Sequence, residues 1–260
     1  MAVSHKGAIS FGLVHIPVSL YTAIGDNSIG FNLLHKSCGQ RIRYKKTCPA
    51  CNIENVKQED IVKGFEYEEG KYVIMTDDDF EKIKSPKDKT IHIIQFAKLN
   101  EIDPIFFEKS YYAVPDAGGD KAFELLRTVM LSENMVAIAK SVMGTKENLL
   151  TIRPTNDGLI VEIMYYLEEI KPIPKSYTKP QLNETEINMA KMLVNSMAKE
   201  FKPEEYRDEY QEKVKNALKQ KIEGKEIIEE APARTGNVID LMEALQKTLD
   251  MQKNKKIGSA

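Results

Sequence analysis

His35-Lys-Ser-Cys38-Gly-Gln-Arg41-Ile-Arg43-Tyr44-Lys45-Lys46-Thr-Cys48-Pro-Ala-Cys51 carries all three cysteines of the chain and one of its four histidines. The spacing is H-x2-C, a nine-residue gap, then C-x2-C. Two short ligand pairs on separate turns can close a tetrahedron around one Zn2+, so His35, Cys38, Cys48 and Cys51 are the expected ligands of a structural zinc ion. Pro49 suits a tight knuckle turn in the second pair. The plainer reading is three reduced cysteines in a core, with His35 on the surface. Clustering at ligand spacing favours zinc, because scattered core cysteines would not assemble this way.

The gap is basic. Arg41, Arg43, Lys45 and Lys46 surround Ile42 and Tyr44, and an extended gap would set residues 41, 43 and 45 on one face. An ordinary solvated strand face would read the same way. The charge is local. Residues 36–57 hold six cations (36, 41, 43, 45, 46, 57) against Glu54, whereas residues 59–79 hold eight acids against Lys63 and Lys71. The whole chain has 260 residues and a formal net charge of -2. A basic patch beside an acidic one can bind a polyanion while the total stays near neutral.

The length suits one large domain or a domain with a smaller arm. Hydrophobic residues make up 42% of the chain, which is enough for a real core. No apolar run is long enough to span a membrane, and the opening residues lack the apolar core of a secretion signal. Three clustered cysteines make no disulfide framework, so a cytoplasmic location is expected.

Outward from the cysteine stretch, strand signals dominate. Residues 7–22 alternate at Ile9, Phe11 and Leu13, then at Ile16, Val18 and Leu20, which predicts two short strands joined near His15 and Pro17. Ile61–Tyr67 and Lys71–Met75 form a predicted strand pair around Glu69-Gly70. Thr76 with Asp77, Asp78 and Asp79 starts a helix; the same acids would suit a Mg2+ site, but Phe80 and Ile83 continue a helical face. Further strands are expected at Thr90–Phe96, Ser110–Val114, Met135–Met143, Asn148–Arg153 and Leu159–Leu167. A helix from Gly119-Asp120 should bury Phe123, Leu126 and Met130. His5, His15 and His92 have no partner spacing that supports a ligand role.

The texture changes at Lys171, where prolines make a stiff connector. Asn183 with Glu186 is a capping-box pattern that opens a helix with a stripe at Ala190, Leu193, Val194, Met197, Ala198 and Phe201. Pro203 opens a second helix with Tyr206, Tyr210, Val214, Ala217, Leu218 and Ile222, which stops near Gly224. After a linker around Ala231-Pro-Ala, Asn237 caps a last amphipathic segment with Val238, Leu241, Met242, Leu245 and Leu249, a length that suits docking on a partner. Docking on its own core is the alternative. The sequence has no phosphate-binding loop, nucleophile elbow, dinucleotide fingerprint or zinc-protease motif, so no catalytic site can be assembled from it.

The order of these pieces resembles bacterial Ku, the DNA-end-binding protein family of non-homologous end joining. The resemblance lies in Lys6-Gly-Ala-Ile-Ser-Phe-Gly-Leu-Val-His-Ile-Pro-Val-Ser-Leu-Tyr21, Arg41-Ile-Arg-Tyr-Lys-Lys-Thr-Cys48 and Asp60-Ile-Val-Lys-Gly-Phe-Glu-Tyr67. It continues through Thr76-Asp-Asp-Asp79, Ile152-Arg-Pro154 with Asp157-Gly-Leu159, Tyr206-Arg-Asp-Glu-Tyr210, Lys221-Ile-Glu-Gly-Lys225 and Asp240-Leu-Met-Glu-Ala-Leu245. One departure is the chain end, where many relatives carry a long lysine-rich tail and this sequence has Lys253, Lys255 and Lys256.

The resemblance implies an α+β fold: a Ku-like seven-stranded β-barrel with an inserted DNA-encircling arm and a C-terminal helical arm. Residues 1–180 would form the barrel core with the arm at about 32–75, residues 181–229 a helical dimerisation arm, and residues 230–260 a flexible linker, partner-binding helix and short basic tail. It implies no enzyme but a homodimer that holds double-stranded DNA ends without reading sequence. Lys36, Arg41, Arg43, Lys45, Lys46 and Lys63 are the expected phosphate contacts. Val238, Leu241, Met242, Leu245 and Leu249 would meet an ATP-dependent DNA ligase of the ligase D type. The expected setting is cytoplasmic and nucleoid-associated. An arm of about 40 residues, folded as two strands, reaches only about 65 Å at roughly 3.3 Å per residue, short of the roughly 100 Å band that clears a duplex about 20 Å across. One arm cannot close a ring; two can. The rivals are a zinc-knuckle nucleic-acid regulator with no need for an end, and a metal-dependent nuclease built on Asp77–Asp79.

Overall fold

A computed structural model describes residues 2–83, 90–143, 146–174 and 179–226. The chain divides into two units: Met1–Asn27 with Asn32–Ile173, and Ser28–Phe31 with Pro174–Ala260.

The first unit contains nine strands among its described residues: β1 (Val3–Phe11), β2 (Val14–Thr22), β3 (Lys63–Glu68), β4 (Lys71–Met75), β5 (Thr90–Ala97), β6 (Phe107–Pro115), β7 (Val136–Met143), β8 (Lys146–Pro154) and β9 (Leu159–Met164). Seven of them close a barrel in the order β1-β2-β6-β9-β8-β7-β5, and β5 returns parallel to β1 through Ile9↔Ile91. The α+β barrel implied by the resemblance is present. Closure removes the sheet edges that would otherwise invite pairing with other chains.

The core lies inside the barrel. Ile9, Ile16, Val18, Leu150, Ile152 and Val161 are fully buried, and Ile9 faces Ile16 directly across β1 and β2. On β7 and β8 large residues meet small ones: Leu150 faces Ala139, and Ile152 faces Ala137. Such alternation of large and small residues lets facing side chains interdigitate in a narrow barrel. Leu150→Ala should therefore leave an unfilled cavity and cost about 3 kcal/mol, read as a lower urea midpoint with an unchanged slope.

The helix expected from Asp120 is present as α2 (Asp120–Ser132), and it buries Phe123, Leu126 and Met130 against the barrel. The Arg127 guanidinium donates to the Thr155 and Asn156 carbonyls at 2.8 and 3.2 Å, tying α2 to the β8–β9 turn. Gly119 lets the helix start approach β2; an added Cβ would lie 3.1 Å from the Pro17 ring and carbonyl.

Two boundaries on the barrel strands differ notably from the expectation. The first hairpin turns at Gly12-Leu13, not near Pro17. Gly12 has φ +60, the left-handed value that a two-residue turn requires. Pro17 lies within β2 opposite Ala8; its carbonyl accepts from the Asp116 N–H, so its ring nitrogen faces beyond the start of the β2–β6 ladder and no strand bond is lost. Strand β9 ends at Met164, before a 3-10 turn at Leu167–Glu169.

The segment between β2 and β5 has another character. Among its described residues from Tyr21 to Thr90 none is buried. Strands β3 and β4 form a separate two-stranded sheet around Gly70 (φ +73), as expected, followed by α1 (Asp77–Ile83). Phe65, Tyr67, Tyr72, Val73 and Ile74 stay exposed on it. A lone two-stranded ribbon is at best marginally stable in water.

In the second unit, α3 (Glu184–Met197) begins with the expected box: the Asn183 side chain accepts from the Thr185 and Glu186 N–H groups. The next helix, α4 (Glu209–Ile222), starts later than expected, because Pro203–Glu205 forms only a 3-10 turn and Asp208 supplies the cap. Gly224, at φ +75, ends it. Phe201 stacks on Tyr206 at 5.4 Å between the helices, and the Gln211 side chain accepts from the Ile29 N–H at 3.3 Å. Neither helix buries a residue. Val238, Leu241, Met242, Leu245 and Leu249 lie outside the described residues.

Candidate nucleic-acid interface

The first ligand pair sits on a tight reversal. Leu34 bridges Arg41, the His35 N–H donates to the Gln40 carbonyl at 2.8 Å, and the Gly39 N–H donates to the His35 carbonyl at 2.8 Å. Gly39, at φ +66, makes the reversal possible. His35 Nδ1 then lies 3.1 Å from Cys38 Sγ. The second pair repeats the plan. Cys48 bridges Ile53, Pro49 opens a 3-10 turn, and the Cys51 N–H donates to the Cys48 carbonyl at 3.2 Å. Asn52 takes the left-handed conformation at φ 52, and the two sulfurs lie 3.4 Å apart.

Both separations approach the edges of a zinc tetrahedron, about 3.8 Å for two sulfurs and about 3.5 Å for nitrogen and sulfur at ordinary bond lengths. All three cysteines are free thiols, and with one imidazole they make a donor set that suits zinc. The four residues do not, however, converge. Among the described residues no group of three or more His, Cys, Asp or Glu side chains is placed to hold a metal. The two pairs stay separate, and residues 42–47 have no strand pairing to set the distance between their turns.

The Cys48 thiol is drawn below its ordinary value, first by the Cys51 N–H and then by its hydrogen bond with the Cys51 thiol. Cys51 is pushed up, first by that same bond and then by charge on Cys48. One proton shared between two sulfurs explains the opposite directions.

The basic residues are exposed, and residues 42–47 are assigned to no strand. Arg41 donates to the Asn32 side chain, and Lys46 donates to Gln58 Oε1 at 2.6 Å. Lys63 pairs with Asp77 at 3.8 Å and lies 4.6 Å over the Phe80 ring. Among the described residues, Lys36, Arg43 and Lys45 make no hydrogen bond or ion pair with the protein. Three barrel cations are matched: Lys140 pairs with Glu147, Lys146 with Glu169 and Arg153 with Glu162, each within 3.1 Å. A cation already matched to a carboxylate gains little from a phosphate; an unmatched one gains fully.

The Asp77–Asp79 run has its own work. The Asp79 carboxylate accepts from the Thr76 hydroxyl at 2.6 Å and the Thr76 N–H at 3.0 Å, and these bonds hold it below the usual carboxylate range. With Asp77 on Lys63 and Asp79 also 3.9 Å from Lys82, the cluster caps and pairs rather than holding Mg2+. Asn32 and Gln58, which steady Arg41 and Lys46, were not singled out in the sequence. The left-handed residues had a signal there: each ligand pair is followed by Gly or Asn, the residue types that tolerate positive φ.

No described helix is long and apolar enough to cross a membrane. The family model for the Ku70/Ku80 beta-barrel domain matches residues 10–189. The chain is 53% identical to the non-homologous end joining protein Ku of Lachnoclostridium phytofermentans, across 97% of this chain and 98% of that one. The protein of the same name from Archaeoglobus fulgidus is 40% identical, across 97% and 100% of the two chains. That of Bacillus subtilis is 36% identical, across 94% and 80%.

Proposed function

We propose, since this chain belongs to the Ku family, that it binds double-stranded DNA ends as a ring-shaped homodimer in non-homologous end joining. It is a scaffold protein and not an enzyme. The observation that carries the DNA reading is that Lys36, Arg43 and Lys45 have no partner among the described residues, on a segment whose described residues are none of them buried. Arg41, Lys46 and Lys63 extend the set once DNA competes for their present partners. Phosphate contacts carry no sequence information, so any duplex serves. The exposed apolar faces of β3, β4, α3 and α4 support a dimer, because such faces need a second surface to cover them. Competition between linear and covalently closed duplex tests the ring, and the zinc-knuckle regulator without end dependence would bind both alike.

A structural zinc ion would be held by His35, Cys38, Cys48 and Cys51. Its chemistry is to join the two knuckles and so bring Arg43 and Lys45 to a defined place between them. Metal analysis of protein purified without added zinc should give about one ion per protomer. Normal DNA binding with no metal would remove this role.

The segment with Val238, Leu241, Met242, Leu245 and Leu249 recruits and stimulates an ATP-dependent DNA ligase of the ligase D type; its amphipathic spacing supports this role. Truncation after Glu230 should abolish ligase stimulation and leave DNA binding intact. Stimulation that survives truncation would assign the segment another task. The proposed setting is the cytoplasm, at the nucleoid.

A further inference from the structure

We propose that Cys48 and Cys51 form a redox-modification site, oxidised by a hydroperoxide to an intramolecular disulfide while Cys38 remains a thiol. The geometry is local. The sulfurs lie 3.4 Å apart and need only close to the roughly 2.05 Å of a disulfide. The hydrogen-bonded turn from Cys48 to Cys51 keeps their Cα atoms under about 7 Å apart, a span that side-chain rotation can bridge. Cys51 is exposed and Cys48 half-buried, so a small oxidant reaches them. Cys38 is exposed too, but its side-chain contact is with the His35 ring, which also meets Ser37; among the described residues the sulfur–sulfur contact is that of Cys48 with Cys51.

The chemistry balances with one peroxide. A Cys thiolate attacks a peroxide oxygen, the O–O bond breaks, and a sulfenic acid forms as hydroxide leaves and takes up a proton. The second thiol then attacks that sulfur and expels water. Two thiols and one hydrogen peroxide give one disulfide and two waters.

The stem of the knuckle should survive the change. The Val56 N–H donates to the Lys46 carbonyl at 2.7 Å, and Lys46 is held by Gln58, so both ends of the loop are fastened without the sulfurs. The disulfide would, however, remove two donors from the zinc set, because a metal takes thiolates. That consequence rests on the zinc reading; the disulfide itself does not. Together they would make the joining of the two knuckles depend on oxidant.

The test uses the full chain, stripped of metal by a chelator, treated with equimolar hydrogen peroxide and then alkylated. Cleavage after Lys and Arg separates Cys38 from the peptide Thr47–Lys57, which holds both other cysteines. The expected product is that peptide lighter by two hydrogens, with Cys38 alkylated, and a thiol reductant should restore the mass. Predominant bonds to Cys38, cross-linked dimers, or a peptide that stays reduced would overturn the proposal. A parallel sample preloaded with zinc is followed with a chromophoric chelator, and release should keep step with the disulfide. If that sample holds no zinc while the stripped sample still forms the bond, the zinc reading fails and the disulfide stands.

Discussion

Linear duplex should be bound and a covalently closed circle of the same sequence should be nearly inert as a competitor at any ionic strength at which phosphate contacts hold. Phosphates are equally abundant on both DNAs, so charge alone predicts no preference. The preference arises from topology: a closed band admits a duplex only by an end. Bulky blocks placed on both ends of the linear DNA should make it behave like the circle. Equal competition by the two forms in a gel-shift experiment would sink the ring and leave an open basic surface. That difference is independent of zinc and of the C-terminal segment, so it isolates one part of the proposal.

Replacing Lys36, Arg43 and Lys45 together with Ala should weaken end binding uniformly across DNA sequences and flatten its salt dependence. Each lost phosphate contact removes about 0.9 from the slope of log affinity against log salt, so six in a dimer should remove about 5. The loss is greatest at low salt and shrinks as salt rises, because counterions already occupy the phosphates there. Lys146→Ala is the control: its ammonium pairs with Glu169 at 3.0 Å, and its removal should leave the slope unchanged. An equal effect from both variants would move the DNA path onto the barrel. A sequence-dependent loss would indicate base contacts.

The two variants probe what the structure sorted and the sequence did not. Six cations looked alike as letters. Their partners divide them: among the described residues Arg41, Lys46 and Lys63 are engaged, and Lys36, Arg43 and Lys45 are unmatched. The four expected metal ligands looked like one site by spacing, yet they occupy two turns. Spacing within a turn governs a local distance. Spacing across a nine-residue gap whose residues 42–47 have no strand pairing governs none.

Much of the fold was legible because its causes are local. The stripe of Phe123, Leu126 and Met130 marked the buried face of α2, the Asn183 and Glu186 pair marked the start of α3, and Glu69-Gly70 marked the β3–β4 turn. Alternation at Ile9, Ile16, Val18 and Leu20 marked the inner wall of the barrel. Pro17 and Gly12 are competing signals for the first bend, and Gly12 makes it, because it alone of the two adopts positive φ. Sequence by itself determined the periodicities, caps, turns and the pairing of His35 with Cys38 and of Cys48 with Cys51, since each depends on residues within a few positions of one another. Tertiary structure alone decided the strand order, the parallel closure of β5 on β1, which carboxylate meets which cation, and the separation of the two knuckles, since those depend on groups that meet only after the chain has closed on itself.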